Sequence, residues 1–230
     1  MIGVVIPAHN EAEHIGDTLT AVLQAAAHPA LGGEVVRILV VLDSCNDGTG
    51  AIATALGVPT LALAARNVGI ARAAGAEVLL EAGARWLAFT DADTRVSPEW
   101  LASQLALDAD VVCGAISVDN WAVHGEQSQF IREHFARTYT NADGHRHIHG
   151  ANLGVSAAAY RRVGGFQPLA CSEDVALVRA LEAAGARIAW SAAPQVSTSA
   201  RRDARARGGF GDTLLAVIAA GLAAADPLIS

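Results

Sequence analysis

From Val35 to Leu42 the sequence reads Val-Val-Arg-Ile-Leu-Val-Val-Leu, an apolar run broken only by Arg37. A strand of this kind is apolar on both faces, so both need covers, and a parallel sheet between two layers of helices supplies them. Shorter apolar runs at Ile2–Ile6, Thr60–Leu63, Trp86–Thr90 and Asp110–Ala115 alternate with segments of helical spacing. That alternation predicts βα units and an α/β fold with a mainly parallel sheet. Helices are expected from about Glu11, with Ile15, Leu19, Val22 and Leu23 on one face, and over Thr49–Leu56, Val68–Glu81 and Ser172–Ala184. Another is expected over about Glu126–Tyr139, with Phe130, His134 and Phe135 on one face, and strands over Asn152–Val155 and Arg187–Trp190. Residues 141–149 read as a polar loop.

Composition narrows the chemistry. All 16 basic residues are arginine, so lysine-dependent phosphate loops and Schiff bases are excluded. Fifty alanines inflate the 52% hydrophobic content, which falls to about 30% without them, an ordinary value for a globular protein. A net charge of −7 argues against general nucleic-acid binding, which needs a basic face. Cys45, Cys113 and Cys171 are odd in number and far apart, and read as reduced thiols of a cytoplasmic protein. The residues after Met1 lack the basic start and long apolar run of a signal peptide. The apolar stretch Leu214–Ala225 is shorter than the roughly 20 residues a spanning helix needs, which leaves peripheral membrane contact as an open reading.

Two apolar strands end on acids. Trp86–Thr90 runs into Asp91-Ala92-Asp93, two carboxylates at the carboxyl end of a strand, where open α/β sheets bind ligands. Such a pair suits a hard divalent cation whose shell is completed by phosphate oxygens and water. The competing role is capping the next helix, but Ser97-Pro98-Glu99 already offers that helix an N-cap, a proline at N1 and an acid in its first turn. Val40–Leu42 leads into Asp43, which is placed to accept an N–H from a nucleobase, while Asp47-Gly48-Thr49 reads as turn and helix-start chemistry. His145, His147 and His149 alternate, so on an extended strand they would share a face and suit zinc, but without an acid or cysteine partner the pattern is weak; composition makes the stretch a polar loop, either on the acceptor side with His149 entering the site or solvated with no role.

Taken together, these segments resemble the family 2 glycosyltransferases of GT-A fold. Val5-Ile6-Pro7-Ala8-His9-Asn10-Glu11 looks like the family's opening P-x-x-N-E segment, Val40–Thr49 like its acidic strand end, and Ala65–Gly75 like its nucleotide-side helix. Thr90–Thr94 matches the D-x-D site, His149–Gly154 with Gly164-Gly165-Phe166 resembles the part facing the donor sugar, and Glu173-Asp174 stands where an E-D pair supplies the base. The motifs keep their order from Val5 to Asp174. In two places the chain departs from the pattern: Leu42 replaces the first of two paired acids, and no histidine follows His149 to complete a metal shell.

The resemblance implies a GT-A domain over residues 1–200, its nucleotide-binding half over about 1–95 and its acceptor half over about 96–200. A mobile arginine-rich segment and a C-terminal helix are expected over 201–230. Pro7, Ala8 and Glu11 would line the nucleoside pocket, with Asp43 reading the base and Arg66 and Asn67 supporting base or ribose. Asp91, Ala92 and Asp93 would hold the nucleotide, the two acids also holding Mg²⁺ or Mn²⁺, and His149 and Asn152 would face the sugar. Asp174, with Glu173, would be catalytic. Arg201 and Arg202 would either fold over the diphosphate or form a surface patch for anionic headgroups.

The implied activity is metal-dependent, inverting transfer of a sugar from a UDP- or GDP-sugar to the hydroxyl of a small metabolite, a glycan or a lipid-linked acceptor. Two alternatives are an inactive nucleotide-sugar-binding relative and a sugar-phosphate nucleotidyltransferase. The latter would want a glycine-rich basic loop where Pro7–Glu11 stands, and a dinucleotide-binding dehydrogenase would need a G-x-G-x-x-G that is absent.

Overall fold

The computed structural model describes residues 1–202 and 210–225. The first half is built of β1 (Ile2–Ala8), α1 (Ile15–Ala26), β2 (Val36–Asp43), α2 (Thr49–Ala55), β3 (Thr60–Leu63), α3 (Val68–Glu81) and β4 (Trp86–Phe89). Next come β5 (Thr94–Val96), α4 (Trp100–Ala106), β6 (Val111–Gly114), β7 (Ser117–Val118), α5 (Ser128–Thr138), β8 (Leu153–Ser156) and α6 (Ala157–Arg162). The last elements are α7 (Glu173–Ala183), β9 (Ile188–Ser191), β10 (Val196–Thr198) and α8 (Phe210–Ala225). Seven strands form one sheet in the order β3-β2-β1-β4-β8-β6-β9, in which β8 alone runs antiparallel to its neighbours. A three-stranded sheet, β5-β10-β7, lies beside it. This is the single α/β domain of GT-A type that the resemblance implies.

The period-2 alternation of the strands sorts the core into two layers. Val4, Ile6, Val40 and Ala88 face one way, onto Ile15, Leu19 and Val22 of α1 and Trp100 and Leu101 of α4. Val5, Leu39, Val41, Leu87 and Phe89 face the other way, onto Ala71, Ala76 and Leu79 of α3 and Leu177 and Leu181 of α7. Leu214 of α8 packs with Ile131 of α5 in a third, smaller cluster. Small residues on α3 bring it close to the sheet: a Cβ at Gly75 would stand 2.6 Å from Val5 Cγ1 and 2.8 Å from Val41 Cγ2. No described helix is long and apolar enough to cross a membrane.

Where the elements differ from the sequence expectation, long-range contacts are responsible. Helix α1 starts at Ile15 and not near Glu11, because the Glu11 and Ala12 N–H groups donate to Thr49 Oγ1 and Asp47 Oδ2 across the neighbouring turn. The N-cap of α4 is Glu99 and not Ser97, and no side chain caps the helix; the Ser97 carbonyl accepts from Trp100 N–H in the turn before it. The buried residue of α5 is Ile131, with Phe135 packed on the core, while Phe130 is exposed. The strands β5, β7 and β10 have two or three residues each, too few to show a period. Asn152 belongs to a 3₁₀ turn, Gly150–Asn152, and not to β8.

Gly75→Ala is expected to lower stability by about 1–3 kcal/mol through overpacking against Val5 and Val41. Urea denaturation with an unchanged midpoint would contradict the close approach of α3.

Candidate active site

The ends of β1, β2, β3 and β4 share the carboxyl edge of the sheet, and the turn that enters β8 lies at the same edge because β8 is antiparallel. Asp43, at the end of β2, is buried and accepts the backbone N–H groups of Ala65, Arg66 and Asn67 at 2.7–2.8 Å. Ser44 Oγ donates to it as well, at 3.1 Å. Burial alone raises the Asp43 carboxyl, but the three backbone bonds outweigh it and hold the group below its ordinary range. Asp43 therefore clamps the β3–α3 loop, and a base-reading role falls to the one lone pair remaining on Oδ2. Asp47 is turn chemistry as expected: Oδ1 accepts from Thr49 N–H and Oγ1 and Oδ2 from Ala12 N–H, tying the β2–α2 turn to the β1–α1 turn.

Around this frame stand the other expected nucleoside contacts. Ala8 is buried and Pro7 half-buried at the end of β1. Asn67 N-caps α3 through its side chain, accepting from Ile70 N–H at 3.0 Å, and its Nδ2 donates to the Pro168 carbonyl. Arg66 is exposed at the rim, with φ at +48°.

Deeper in, a charged cluster forms around a residue to which the sequence motifs assign no role. Arg72, on the sheet side of α3, is 3% exposed; it donates to Asp91 Oδ1 at 2.5 Å and to Glu173 Oε1. Its guanidinium carbon lies 5.9 Å from the centre of the Phe166 ring. Gly150 has to be glycine here, because a Cβ would stand 2.3 Å from the Arg72 guanidinium. Its N–H donates to Asp174 Oδ2 at 2.7 Å, and Val175 N–H donates to Oδ1 at 2.8 Å. Each Asp174 oxygen keeps a lone pair. Glu173, expected to be catalytic with Asp174, is instead buried against Arg72; burial raises its carboxyl and Arg72 draws it partly back. A signal for Arg72 does exist in the sequence: a charge among Ala71, Gly75 and Ala76 on an apolar helix face must be paired if buried.

A second cluster holds the other acid of the pair. Arg201 Nη1 donates to Glu11 Oε2 at 2.7 Å, and its Nη2 lies 3.2 Å from Asp93 Oδ2. Burial pushes the Asp93 carboxyl up to about 6, against the pull of Arg201 and with added repulsion from Asp91 and Glu11. Arg202 is exposed. Two expected sugar or nucleotide contacts lie inside the core. Ala92 is buried, its carbonyl accepting from Thr18 Oγ1. Asn152 is fully buried, its Nδ2 donating to the carbonyls of Ala115 and Pro194 and its Oδ1 accepting from Trp100 Nε1. Asn152 is thus a core fastener, because every amide proton it has is already used inside the protein.

The histidines form a stack and not a ligand set. His145 Nε2 is on the Ser191 carbonyl, His145 Nδ1 accepts from His147 N–H, and His147 Nε2 accepts from Thr140 N–H. Among the described residues no three metal-ligating side chains converge as a metal site. His149 is half-buried next to Gly150.

The raised Asp93 carboxyl has a stability consequence of definite sign. The folded protein takes up this proton more readily than the unfolded chain, so the contribution is fully present below pH 3.8 and is lost as pH rises through about 6. Ionised Asp93 then costs on the order of 2–3 kcal/mol. Asp93→Asn is expected to melt several degrees above the unaltered protein at pH 7.5, with the gap closing towards pH 4. Equal melting temperatures at pH 7.5 would contradict the burial of this charge.

Comparison with known proteins bears on the family and the fold. A model of glycosyl transferase family 2 matches residues 3–164. The fold is similar to that of TarS residues 1–349 from S. aureus in complex with UDP-GlcNAc: 16% identity, a TM-score of 0.64, and 95% of this chain against 65% of that one. It is also similar to the mannosyltransferase PcManGT from Pyrobaculum calidifontis in complex with GDP-Man and Mn²⁺, at 17% identity and a TM-score of 0.63, covering 97% of this chain and 74% of that one. A mycobacterial protein aligns at 16% identity with a TM-score of 0.58, over 96% of this chain and 73% of that one. The chain thus spans just under two thirds of the TarS fragment. No curated protein matches it in sequence. At these identities the structural likeness speaks for the fold, and the family model, covering more than half of the chain, speaks for descent: the protein belongs to glycosyl transferase family 2.

Proposed function

We propose that the protein transfers a sugar from a nucleoside diphosphate to an acceptor hydroxyl, with inversion, at the carboxyl edge of its sheet. One observation carries this reading: Arg72 binds Asp91 directly and, through Glu173 and Gly150, holds the start of α7, so a diphosphate-side acid and a base candidate share one cluster. Family membership supports a nucleotide-sugar donor.

The acids also fit a divalent ion. Asp91 keeps Oδ2, and Asp93 keeps Oδ1 with only a long contact of 3.5 Å from Thr94 Oγ1 among the described residues. Two hard oxygens are what a cation takes from protein when phosphate and water complete its shell, which suits Mg²⁺ or Mn²⁺. When bound, such an ion neutralises charge on the departing diphosphate. Arg201 stands at the same acids and would turn its guanidinium to the diphosphate, with Arg202 at the rim. Pro7, Ala8, Glu11, Arg66 and Asn67 would enclose the nucleoside, with the spare lone pair of Asp43 for a base N–H. Asp174 would take the acceptor proton on a free lone pair while the acceptor oxygen bonds to the anomeric carbon. The bond from that carbon to the diphosphate oxygen breaks, and the nucleoside diphosphate leaves. An inactive relative would have no need to keep Asp91, Asp93 and Asp174 in this arrangement.

The three cysteines carry no disulfide, which suits a reducing, cytoplasmic setting. Acceptors open to this reading are a small polar metabolite, a glycan or a lipid-linked intermediate.

Thermal shift with UDP and GDP, each with and without Mn²⁺, is expected to show stabilisation by one nucleotide that depends on the metal. Turnover of UDP-GlcNAc or GDP-mannose is expected to fall by about 10²-fold or more in Asp174→Asn. A folded Asp174→Asn protein with unchanged turnover would remove Asp174 as the base, and no metal-dependent shift with either nucleotide would count against the donor reading.

A further inference from the structure

Between α5 and the turn that enters β8, three groups are joined in a hydrogen-bonded chain. Ile116 N–H donates to Tyr139 Oη at 2.8 Å, and the same oxygen lies 2.9 Å from His149 Nε2. Among the described residues Nε2 is the one acceptor within reach of the phenol proton. Burial pushes the Tyr139 phenol up to about 12, which keeps it a donor. The ring cannot turn away, because it is stacked between Phe135 at 4.5 Å and His147 at 4.0 Å.

An imidazole that accepts at Nε2 carries its proton on Nδ1. Burial, and then His147 and His145, lower the His149 ring to about 4, so it stays neutral. Nδ1 has no protein partner among the described residues. The described side-chain atoms that are buried without a partner are Arg72 Nε, Thr90 Oγ1, Gln104 Nε2 and both ring nitrogens of His124. His149 Nδ1 is not among them, so it is not sealed off from solvent. It does so one residue before Gly150, whose N–H holds Asp174 and whose α-carbon packs on Arg72.

We propose that Tyr139 is a positioning residue that fixes His149 as its Nδ1–H tautomer, so that Nδ1 donates a hydrogen bond to a hydroxyl oxygen of the transferred sugar beside Asp174. The sugar contact rests on the transfer reading above; the tautomer does not. A neutral donor of this kind binds an uncharged oxygen without competing with Asp174 for the acceptor proton.

Nitrogen-15 spectra of histidine-labelled protein test the tautomer directly. Nδ1–H is expected for His149 in the unaltered protein, and a mixture of tautomers in Tyr139→Phe. An Nε2–H tautomer in the unaltered protein overturns the inference. The sugar contact is tested by turnover of UDP-GlcNAc and GDP-mannose. The side-chain amide of asparagine overlays Nδ1 and that of glutamine overlays Nε2, so His149→Asn is expected to stay within about tenfold of the unaltered protein and His149→Gln to lose about 100-fold. Tyr139→Phe is expected to lose about tenfold in kcat with UDP or GDP affinity unchanged. Equal loss in His149→Asn and His149→Gln, with the unaltered protein active, overturns this inference alone. An unaltered protein that turns over neither sugar nucleotide overturns the transfer reading and the sugar contact together.

Discussion

A guanidinium in the core of a protein costs several kcal/mol of desolvation unless charged partners meet it, and removing one partner of such a pair typically costs 3–5 kcal/mol. Arg72 is met by two acids that are distant in sequence, Asp91 at the exit of β4 and Glu173 at the start of α7, and by the face of Phe166. The requirement propagates. Gly150 is confined to glycine by the guanidinium, and the backbone N–H of that same residue sets Asp174. The exit of β4 and the start of α7 therefore meet in a single charged cluster, and the separation of Asp91 from Glu173 is set by the span of one arginine.

The edge that carries this cluster is strained as well as charged. Asn10, Ser44, Arg66 and Ser172 all adopt positive φ, between 48° and 58°, and each lies in a turn at the carboxyl edge. Non-glycine residues in that region cost of order 1 kcal/mol or more each and persist only where their surroundings hold them. The holding groups can be named. Asp43 takes the three N–H groups that bend the loop around Arg66, and Asn10 Oδ1 accepts from Asn46 N–H while Asp47 binds Ala12 N–H. Acids that resemble ligand contacts in the sequence thus serve the backbone first, fixing the loops that shape the pocket.

The range of each contact decides what the sequence makes legible. Helix α3 and strand β3 fall where the periodicity places them, since their patterns arise from contact with the sheet layers and need no distant partner. The start of α1 has no such local mark, because Glu11 and Ala12 are held by Thr49 and Asp47, 38 and 35 residues away. Residue type alone also leaves open which polar groups point inward. Asn152 and Asp174 are both short polar side chains beside glycine-rich turns, yet the first has spent its protons on two carbonyls while the second keeps free lone pairs. Partners distant in sequence tell them apart: the carbonyls of Ala115 and Pro194, 37 and 42 residues away, and Trp100 Nε1, 52 residues earlier.

The absence of lysine acquires a structural meaning here. In both charged clusters one cation binds two carboxylates through different nitrogens: Arg72 uses Nη2 for Asp91 and Nη1 for Glu173, and Arg201 uses Nη2 for Asp93 and Nη1 for Glu11. A planar fork with fixed donor directions holds two acids at a set separation, which a compact ammonium on a flexible stem does not. The two clusters differ in depth, with Arg72 enclosed and Arg201 18% exposed at its side chain. The same chemistry therefore serves two purposes. Buried, it is a permanent strut between motifs. At the rim, it offsets part of the repulsion that Asp91 and Glu11 add to a carboxyl already raised by burial to about 6.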